Sequence, residues 1–380
     1  KVGTFLHCDL GKLAQSTLFR NFTLVHKQEE TLEKKDLRSL TAKELVDLFA
    51  QIGEPAFRAK QIHEWLWKKS ATDIAQMTNI SVKTREWLSD QFTIHHVTEA
   101  AKQISKDRTI KTAFRLHDSH LVEGVLIPTS ERMTACVSSQ VGCSLTCKFC
   151  ATGYMERKRN LEASEMYDQV VLMRKQAQEH YGIPLSNIVY MGMGEPLLNY
   201  ANVLKSIELI SSDQGLNMAA RRITVSTAGI AKMIKKLGDD EVRFNLALSL
   251  HAANDEKRNR IMPINETNTL EALAEALNYF YEKTGNDITF EYIVFKNFND
   301  SLVDARELAE FAKRVPAKIN IIQYNPIAEA EYQNADPVSL QEFQSYLERK
   351  DLVVNVRRSR GKDIDAACGQ LANKTKPIVD

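Results

Sequence analysis

The hydrophobic pattern of the first third of the chain predicts two small units. Over residues 36–95 apolar side chains recur at helical spacing, interrupted at Gly53 and Pro55, so we predict a small N-terminal helical accessory domain. Over residues 96–132 polar and apolar side chains alternate, as they do along a half-buried strand. We therefore predict a β-hairpin that connects the helical domain to the rest of the chain.

Beyond residue 132 short β-branched runs alternate with amphipathic segments. This alternation predicts repeated strand–helix units around a parallel sheet over residues 133–350. Polar residues mark two helix starts, with Ser164 as a cap and Ser339 with Glu342 as a capping box. The candidate strands are Met133–Val137, Asn187–Met191, Arg222–Ser226, Phe244–Leu250, Ile288–Val294, Lys318–Gln323 and Leu352–Arg357.

The number of repeats favours one class of fold. At least five strand–helix units fit an α/β protein built as a full or partial (β/α) barrel. A doubly wound open sheet stays possible, because one sequence does not report the order of its strands. In both architectures ligands bind at the carboxyl ends of the strands, so we expect the reactive residues there.

The two ends of the chain fall outside these patterns. Residues 1–35 show no clear period and end in a charged run, so we expect a poorly ordered extension. Residues 351–380 are expected to form a final strand and then a mobile loop, because the segment around Cys368 is rich in small and acidic residues.

The composition fits a soluble protein of two or three domains. Of 380 residues 43% are hydrophobic, yet no apolar run approaches the roughly 20 residues of a membrane-spanning helix, and the first residues lack the apolar core of a secretory signal. We therefore expect a cytoplasmic protein without a membrane partner. The net charge of +1 neither requires nor excludes nucleic acid, since local basic patches set the attraction to phosphates.

Three of the six cysteines stand close together, which favours metal ligation or catalysis over a disulfide framework. Cys143, Cys147 and Cys150 follow a candidate strand, so we expect their thiolates at the ligand-binding edge of the sheet. Thiolates are the usual ligands of iron–sulfur clusters, and three of them leave one iron of a [4Fe–4S] cluster open to a substrate. The alternative is a zinc site completed by a distant histidine or cysteine.

A glycine-rich segment stands at the end of the next candidate strand. Gly192 and Gly194 allow the backbone to approach a ligand, and Glu195 can accept a hydrogen bond from an ammonium group. A tight turn without a ligand is the alternative.

The Cys-x-x-x-Cys-x-x-Cys spacing, with an aromatic residue at Phe149 and a strand–helix body, resembles the radical S-adenosylmethionine (SAM) superfamily. The resemblance implies a partial barrel and a cluster whose open iron chelates the methionine moiety of SAM, which is then cleaved to a 5′-deoxyadenosyl radical. It also implies a set of SAM contacts at strand ends. These are Gly194, Glu195, Ser226, Ser249, Leu250, His251 and Asn325.

Five longer motifs lie at residues 136–143, 157–161, 191–199, 249–264 and 363–371. They resemble the RlmN family, the dual-specificity adenine C2-methyltransferases of 23S rRNA and tRNA. The likeness runs from about residue 37 to residue 371, so it implies that the helical domain binds RNA.

The resemblance implies a ping-pong reaction that consumes two SAM molecules per turnover. The first would methylate Cys368, and the radical from the second would convert that methyl group into a carbon radical that adds to adenine carbon 2. Cys136 would then attack the Cys368 sulfur, which forms a transient disulfide and releases the methylated base, while Glu123 would accept a proton. From the residues alone, Cys136 fits a buried core cysteine, Cys368 an incidental thiol and Glu123 a solvated strand face.

The sequence also suggests binding partners, and it leaves three alternative functions open. Basic runs at 157–159, 221–222 and 357–362 are candidates for phosphate contacts. The resemblance also implies an electron donor such as flavodoxin or ferredoxin, and we expect a monomer. Three alternatives stay open: Cfr-type methylation of adenine carbon 8, a zinc-stabilised RNA-binding protein without catalysis, and an enzyme that activates another protein through a glycyl radical.

Overall fold

The computed structural model describes residues 34–374. The extension predicted for residues 1–35 therefore lies outside the described residues except for its last two. The α-helices are α1 (Ala42–Gln51), α2 (Phe57–Trp67), α3 (Val82–Gln91), α4 (Ala163–Tyr181), α5 (Tyr200–Ser211), α6 (Ala231–Asp239), α7 (Asp255–Ile261), α8 (Leu270–Thr284), α9 (Leu302–Ala312) and α10 (Pro337–Glu348). The strands are β1 (Lys35–Asp36), β2 (Phe92–Thr93), β3 (Thr98–Ile104), β4 (Ile110–Arg115), β5 (Leu121–Pro128), β6 (Met133–Cys136), β7 (Gln140–Val141), β8 (Arg159–Asn160), β9 (Asn187–Tyr190), β10 (Ile223–Thr227), β11 (Asn245–Ser249), β12 (Ile288–Val294), β13 (Ala317–Gln323) and β14 (Val354–Arg357).

Within residues 34–374, ten strands form one continuous sheet in the order β14-β13-β12-β11-β10-β9-β6-β5-β4-β3. From β6 to β14 every pair of neighbours is parallel, and helices α4–α10 lie in the connections. Successive parallel strands are neighbours throughout, whereas a doubly wound sheet reverses its order at a switch point. The predicted α/β fold with a partial (β/α) barrel is confirmed.

The core lies between the parallel strands and the helices that cover them. Phe290 of β12 contacts Phe311 of α9 with ring centroids 5.4 Å apart, and Tyr292 contacts Phe343 of α10 at 5.7 Å. All four side chains are buried, as the β-branched and aromatic runs of the sequence predict. This packing fixes the strands, and the strands in turn fix the loops at their carboxyl ends.

Segment 96–132 is more than a connecting hairpin. It forms three antiparallel strands, β3–β5, and β5 pairs antiparallel with β6, so the segment extends the main sheet. The alternating pattern predicted strands correctly, but it carries no information about which edge a strand will pair with. Residues Ile110 to Phe114 of β4 are all buried, so both faces of this strand are covered by other parts of the protein.

Residues 42–91 form the helices α1–α3, as the helical spacing predicts. Two contacts, one from residues 37–39 just before α1 and one from α2, fix this helical region to α4. Arg38 donates to both carboxylate oxygens of the buried Asp168 at 2.7 and 3.0 Å, and the Tyr167 hydroxyl donates to the Trp67 carbonyl at 2.5 Å. No helix within residues 34–374 has the length and apolar character needed to cross a bilayer.

Two predicted helix starts are wrong by a few residues. Helix α4 begins at a capping box between Glu162 and Glu165, so Ser164 lies inside the helix. Helix α10 begins at Pro337, with Asp336 as its N-cap residue, because proline suits the first helical position with its fixed φ and missing N–H, and Ser339 is therefore already helical.

Candidate active site

Five cysteines line one cavity at the carboxyl ends of the parallel strands. The cavity has a volume of about 230 Å³. Three of the cysteines belong to residues 142–154, which we name the cysteine loop, and Cys368 belongs to residues 358–373, which we name the Cys368 loop. The fifth, Cys136, ends β6. The strand order thus brings together thiols that lie more than 200 residues apart in the sequence.

Backbone geometry and burial shape the cysteine loop. The loop begins at Gly142 with φ +75°, where a Cβ atom would lie 2.1 Å from the Glu156 carbonyl oxygen, so only glycine fits. The Lys148 N–H donates to the Ile261 carbonyl at 2.9 Å and ties the loop to α7. Burial raises the pKa of all three loop thiols, that of Cys143 to about 11. Metal coordination would reverse this shift, because it favours the deprotonated form.

The chemistry of these donors fits an iron–sulfur cluster. Within residues 34–374 no three His, Cys, Asp or Glu side chains are placed to hold a single metal ion. A [4Fe–4S] cluster has another requirement, since each thiolate binds a different iron atom. Three soft thiolates on one loop, all lining one cavity, meet that requirement.

The glycine-rich segment after β9 forms another wall of the cavity. Gly194 has φ +95°, and a Cβ atom there would lie 2.5 Å from the Gln140 Cβ, so the close approach of the two loops requires glycine. The buried Glu195 carboxylate accepts hydrogen bonds from the N–H groups of Ala228 at 2.8 Å and Leu197 at 3.0 Å. Burial raises the pKa of Glu195, although these hydrogen bonds oppose the shift. A carboxylate held in this way can accept from a cationic ligand group.

Polar side chains at the ends of β10 and β11 line the same cavity. The hydroxyl oxygens of Ser226 and Ser249 lie 3.4 Å apart. His251 accepts a hydrogen bond from the Ile293 N–H at its Nδ1 atom, at 3.1 Å, which leaves Nε2 to carry the ring proton. Burial lowers the pKa of His251 to about 3, so its ring is neutral at neutral pH.

Two of the predicted SAM contacts do not line the cavity. Leu250 is fully buried, and its carbonyl accepts from the Arg258 guanidinium at 3.0 Å. Asn325 lies behind the Cys368 loop, where its Nδ2 donates to the Cys368 carbonyl at 3.2 Å. The Asn325 Oδ1 atom is buried without a hydrogen-bond partner among the described residues, so it has an unused acceptor next to the site.

An ion pair lies next to the two isolated thiols. Arg357 donates to the buried Glu291 carboxylate at 3.1 Å, and both residues line the cavity with Cys136 and Cys368. Burial raises the pKa of Cys136 to about 12, while the charge of Arg357 opposes the shift. Cys368 is an exposed residue, yet the protein atoms around its thiol also raise its pKa, and the charge of Arg357 opposes that shift. The sequence signal for this pair was a charged residue, Glu291, in the middle of an otherwise apolar strand.

The antiparallel strands hold the first part of the Cys368 loop through the turn between β3 and β4. Asp107 accepts from the Gly361 N–H at 2.9 Å and pairs with the Arg360 Nε at 3.2 Å. Asp363 accepts from the Ser105 hydroxyl at 2.5 Å. These contacts give a defined position to a loop that the sequence predicts to be mobile. Sequence reasoning missed them, because an aspartate in a turn has no distinctive pattern.

The last part of the Cys368 loop contacts Glu123. This side chain is fully buried, so the expectation of a solvated strand face is wrong. Its carboxylate pairs with the buried Lys111 at 3.5 Å and accepts from the N–H groups of Ala372 at 3.0 Å and Asn373 at 3.1 Å. Glu123 does not line the cavity in this conformation.

Comparison with known proteins identifies the family. Residues 35–94 match the ribosomal RNA large subunit methyltransferase N-terminal domain of the RlmN proteins, and residues 137–311 match the radical SAM superfamily. A probable dual-specificity RNA methyltransferase RlmN from Cytophaga hutchinsonii is 63% identical over 343 residues, which cover 90% of this chain and 94% of that one. The chain belongs to the RlmN family.

Further relatives extend the same relationship. A probable dual-specificity RNA methyltransferase RlmN from Christiangramia forsetii is 55% identical over 90% of this chain and 97% of its own length. The crystal structure of a radical SAM methyltransferase from Sphaerobacter thermophilus is 38% identical, has a TM-score of 0.83, and covers 89% of this chain and 99% of that one. Membership of the radical SAM superfamily implies a [4Fe–4S] cluster and SAM as cofactors.

The basic runs of this RlmN-family chain differ in how many of their charges are available to a ligand. Arg159 donates to both carboxylate oxygens of Glu165 at 2.7 and 2.8 Å, so it is bound within the protein. Arg357 and Arg360 are similarly paired, as described above. Arg221 and Arg222 are exposed, and Arg358 lines the cavity.

Proposed function

We propose that this protein methylates carbon 2 of adenine in 23S rRNA and tRNA by a ping-pong reaction that uses two SAM molecules per turnover. One observation carries the proposal: Cys136 and Cys368 line the same cavity as the cysteine loop. A radical enzyme that only cleaves SAM needs three cysteines. Two further thiols at the same cavity suit a covalent methyl carrier and a group that releases the product from it.

The cofactors would lie at the ends of the parallel strands. Cys143, Cys147 and Cys150 would hold the cluster, which supplies the electron that cleaves SAM to a 5′-deoxyadenosyl radical. SAM would be held by residues that line the cavity at the ends of β9–β11, while Leu250 and Asn325 would support them from outside the cavity. The lining residues are Gly194, Glu195, Ser226, Ser249 and His251.

In the first half-reaction the Cys368 sulfur attacks the methyl carbon of SAM. A carbon–sulfur bond forms on Cys368, the bond from methyl to sulfonium breaks, S-adenosylhomocysteine leaves, and the thiol proton is released. Arg357 supports this step, because its guanidinium, held by Glu291, favours the thiolate.

In the second half-reaction the 5′-deoxyadenosyl radical removes a hydrogen atom from the S-methyl group, and the resulting carbon radical joins adenine carbon 2. The adduct then loses the proton at carbon 2 and one electron, which would replace the electron spent on cleaving SAM. The Cys136 thiolate then attacks the Cys368 sulfur, the bond from sulfur to the methyl carbon breaks, and that carbon takes up a proton. The electrons balance, because two thiols give up two electrons in forming the disulfide and the cleavage of the second SAM to methionine and 5′-deoxyadenosine takes up two. A thiol reductant must reopen the disulfide before the next turnover.

Glu123 is the proposed acceptor of the proton that leaves adenine carbon 2. Its buried position beside Lys111 supports the role, because the lysine charge keeps a carboxylate in the interior. For the transfer itself, Glu123 must exchange its contacts with Ala372 and Asn373 for a contact with the substrate.

The RNA would approach the cavity with its target base flipped out, since the reacting carbon is not accessible within a stack. Arg358 at the cavity and the exposed Arg221 and Arg222 are the proposed phosphate contacts. We further propose a cytoplasmic monomer that receives electrons from a donor such as flavodoxin or ferredoxin.

A labelling experiment tests the proposal. Anaerobically reconstituted protein is incubated with methyl-labelled SAM, and tryptic peptides are mapped for label on Cys368. The Cys368→Ala variant should take up no label and form no product. The Cys136→Ala variant should take up label and then remain covalently linked to RNA. Absence of label on Cys368 in a sample with a complete cluster would contradict the ping-pong reaction.

Mass mapping of the digested RNA product identifies the methylated carbon. We expect 2-methyladenosine, and 8-methyladenosine would show Cfr-type chemistry instead. Iron and zinc analysis of the anaerobic protein separates both from a zinc-stabilised RNA-binding protein. A glycyl-radical activity would survive in the Cys368→Ala variant.

A further inference from the structure

Arg258 of α7 is a fully buried arginine with an unusual set of partners. It makes four hydrogen bonds, and all of them end on neutral carbonyl or amide oxygens. The acceptors are the Leu250 carbonyl at 3.0 Å, the Asn265 Oδ1 at 2.6 Å, the Ala228 carbonyl at 2.5 Å and the Ser249 carbonyl at 3.1 Å. These bonds give each nitrogen of the guanidinium a hydrogen-bond partner, but they do not neutralise its charge.

The nearest carboxylate in this hydrogen-bond network belongs to Asp255, and it does not bond to Arg258 directly. The Asn265 Nδ2 donates to the Asp255 Oδ1 at 2.7 Å, so an amide separates that negative charge from Arg258. Burial lowers the pKa of Arg258 to about 10, which leaves the group charged at neutral pH. A buried cation without a close anion is costly. The Lys148 N–H donates to the Ile261 carbonyl at 2.9 Å and ties the cysteine loop to the helix that carries Arg258, so a negative centre on that loop would compensate the cation.

We infer that Arg258 is the buried counter-charge of the cluster, a positioning residue that fixes the ends of β10 and β11 and favours the reduced state of the iron. The inference rests on the proposed function, because it requires a cluster at Cys147. Reduction adds an electron to a centre that already carries three thiolates. A fixed cation in a site of low dielectric stabilises that added charge.

The same side chain organises the SAM side of the cavity. The Ala228 peptide accepts from Arg258 through its carbonyl, and its N–H group donates to the Glu195 carboxylate at 2.8 Å. The Ser249 carbonyl is held next to the hydroxyl that lines the cavity. Arg258 therefore links the position of the strand ends to the charge near the iron.

The test measures the reduction of the cluster without RNA or SAM. Anaerobically reconstituted protein is poised at a series of applied potentials, and the reduced cluster is counted by electron paramagnetic resonance. Arg258→Met removes the charge and keeps an unbranched side chain, Arg258→Lys keeps the charge and loses the planar fork, and Arg260→Met is the control. Arg260 is exposed on the same helix, with its guanidinium 5.1 Å from the Phe298 ring.

We expect the ratio of reduced to oxidised cluster in Arg258→Met to be at least tenfold below wild type at a fixed potential. Arg258→Lys should restore most of that ratio, and Arg260→Met should leave it unchanged. Equal ratios in wild type and Arg258→Met would overturn the inference. If Arg258→Met does not retain iron, Arg258→Lys becomes the decisive variant. A ratio of reduced to oxidised cluster tenfold below wild type in Arg258→Lys, where the charge is still present, would also overturn the inference. A wild-type protein without any cluster would instead contradict the proposed function.

Discussion

The two halves of the ten-stranded sheet run differently and hold different parts of the site. The parallel half, β6 and β9–β14, ends at the cavity with the proposed SAM contacts and is linked to the cysteine loop through α7. The antiparallel half, β3–β5, adds apolar wall residues to the cavity and also contacts the Cys368 loop. Its first turn holds Gly361 and Asp363, and Glu123 on β5 holds residues 372 and 373.

This difference separates two tasks within one sheet. Parallel strands with crossover helices bring many carboxyl ends to one edge, which suits a site assembled from many short polar contacts. The antiparallel strands supply a turn that contacts the first part of the Cys368 loop and a buried ion pair that contacts its last part. We therefore expect variants in the parallel half to impair radical generation, and variants in the antiparallel half to impair the methyl carrier.

The largest expected effect comes from removing a cluster ligand. Cys147→Ala should lose the iron–sulfur cluster and all methyl transfer to RNA, because the two remaining loop thiols cannot hold three irons. Iron and sulfide analysis with visible absorbance measures the first effect, and product mapping the second. Cys136→Ala is the matched control, since it changes a thiol at the same cavity and should keep its iron. Loss of iron from that control would show that the thiols are not divided as proposed.

The next effect concerns the stability of the antiparallel half. Lys111→Met leaves the Glu123 charge buried without its lysine, which should lower the free energy of unfolding by about 3–5 kcal/mol. Adding Glu123→Gln should recover much of this loss, because the buried negative charge is then removed. Urea unfolding of the two single variants and the double variant measures the coupling. Additive losses would mean that the ion pair contributes little.

A smaller effect should appear when the Cys368 loop loses an anchor. Asp107→Ala removes the acceptor for Gly361 and Arg360, and we expect methylation of Cys368 to slow about tenfold, or about 1.4 kcal/mol. SAM binding and iron content should not change, because they depend on the parallel half. Asp118→Ala is the control, since Asp118 lies in the other turn of the antiparallel half and pairs with Arg159. Equal slowing of Cys368 methylation in both variants would mean that the turn between β3 and β4 has only a general structural role and no specific effect on the Cys368 loop.

The smallest expected effect is a pH dependence in the parallel half. His251 has a pKa of about 3 when folded and about 6.5 in a model peptide, so the unfolded chain binds more protons between these values. Stability should therefore fall as the pH decreases through 6.5, by about 0.7 kcal/mol between pH 7 and 6 from this residue. Denaturant unfolding of the metal-free protein measures the change, and His251→Gln should remove that contribution. An unchanged pH dependence in the variant would contradict a neutral buried ring.

The sequence predicted the parallel half of the fold well, because its central strands are largely buried and its helices carry amphipathic stripes. The seven candidate strands agree with β6 and β9–β14 to within two residues. The helix starts at Ser164 and Ser339 failed, because several polar residues near a helix start compete for the cap, and Pro337 and the Glu162–Glu165 pair decided the outcome.

The site was predictable where a motif is short and local, as in the cysteine loop and at Glu195. The site was not predictable where its geometry depends on contacts between residues that are distant in the sequence. Nothing in the local pattern indicates that Glu123 is buried beside Lys111, or that Asp107 contacts Gly361 across more than 250 residues. The sequence shows that Arg357 belongs to a basic run. Its pairing with Glu291 could be found only from the structure, in which β12, β13 and β14 are adjacent strands.

The pairing of β5 with β6 has a consequence for dissecting the protein. Val125 lies opposite Cys136 and Pro128 opposite Met133, so β5 covers one backbone edge of β6, the strand that precedes the cysteine loop. A fragment starting at residue 133 would leave that row of N–H and C=O groups without a partner, and open edges of this kind promote aggregation. Truncation at this boundary would therefore yield an insoluble remnant rather than a minimal radical enzyme.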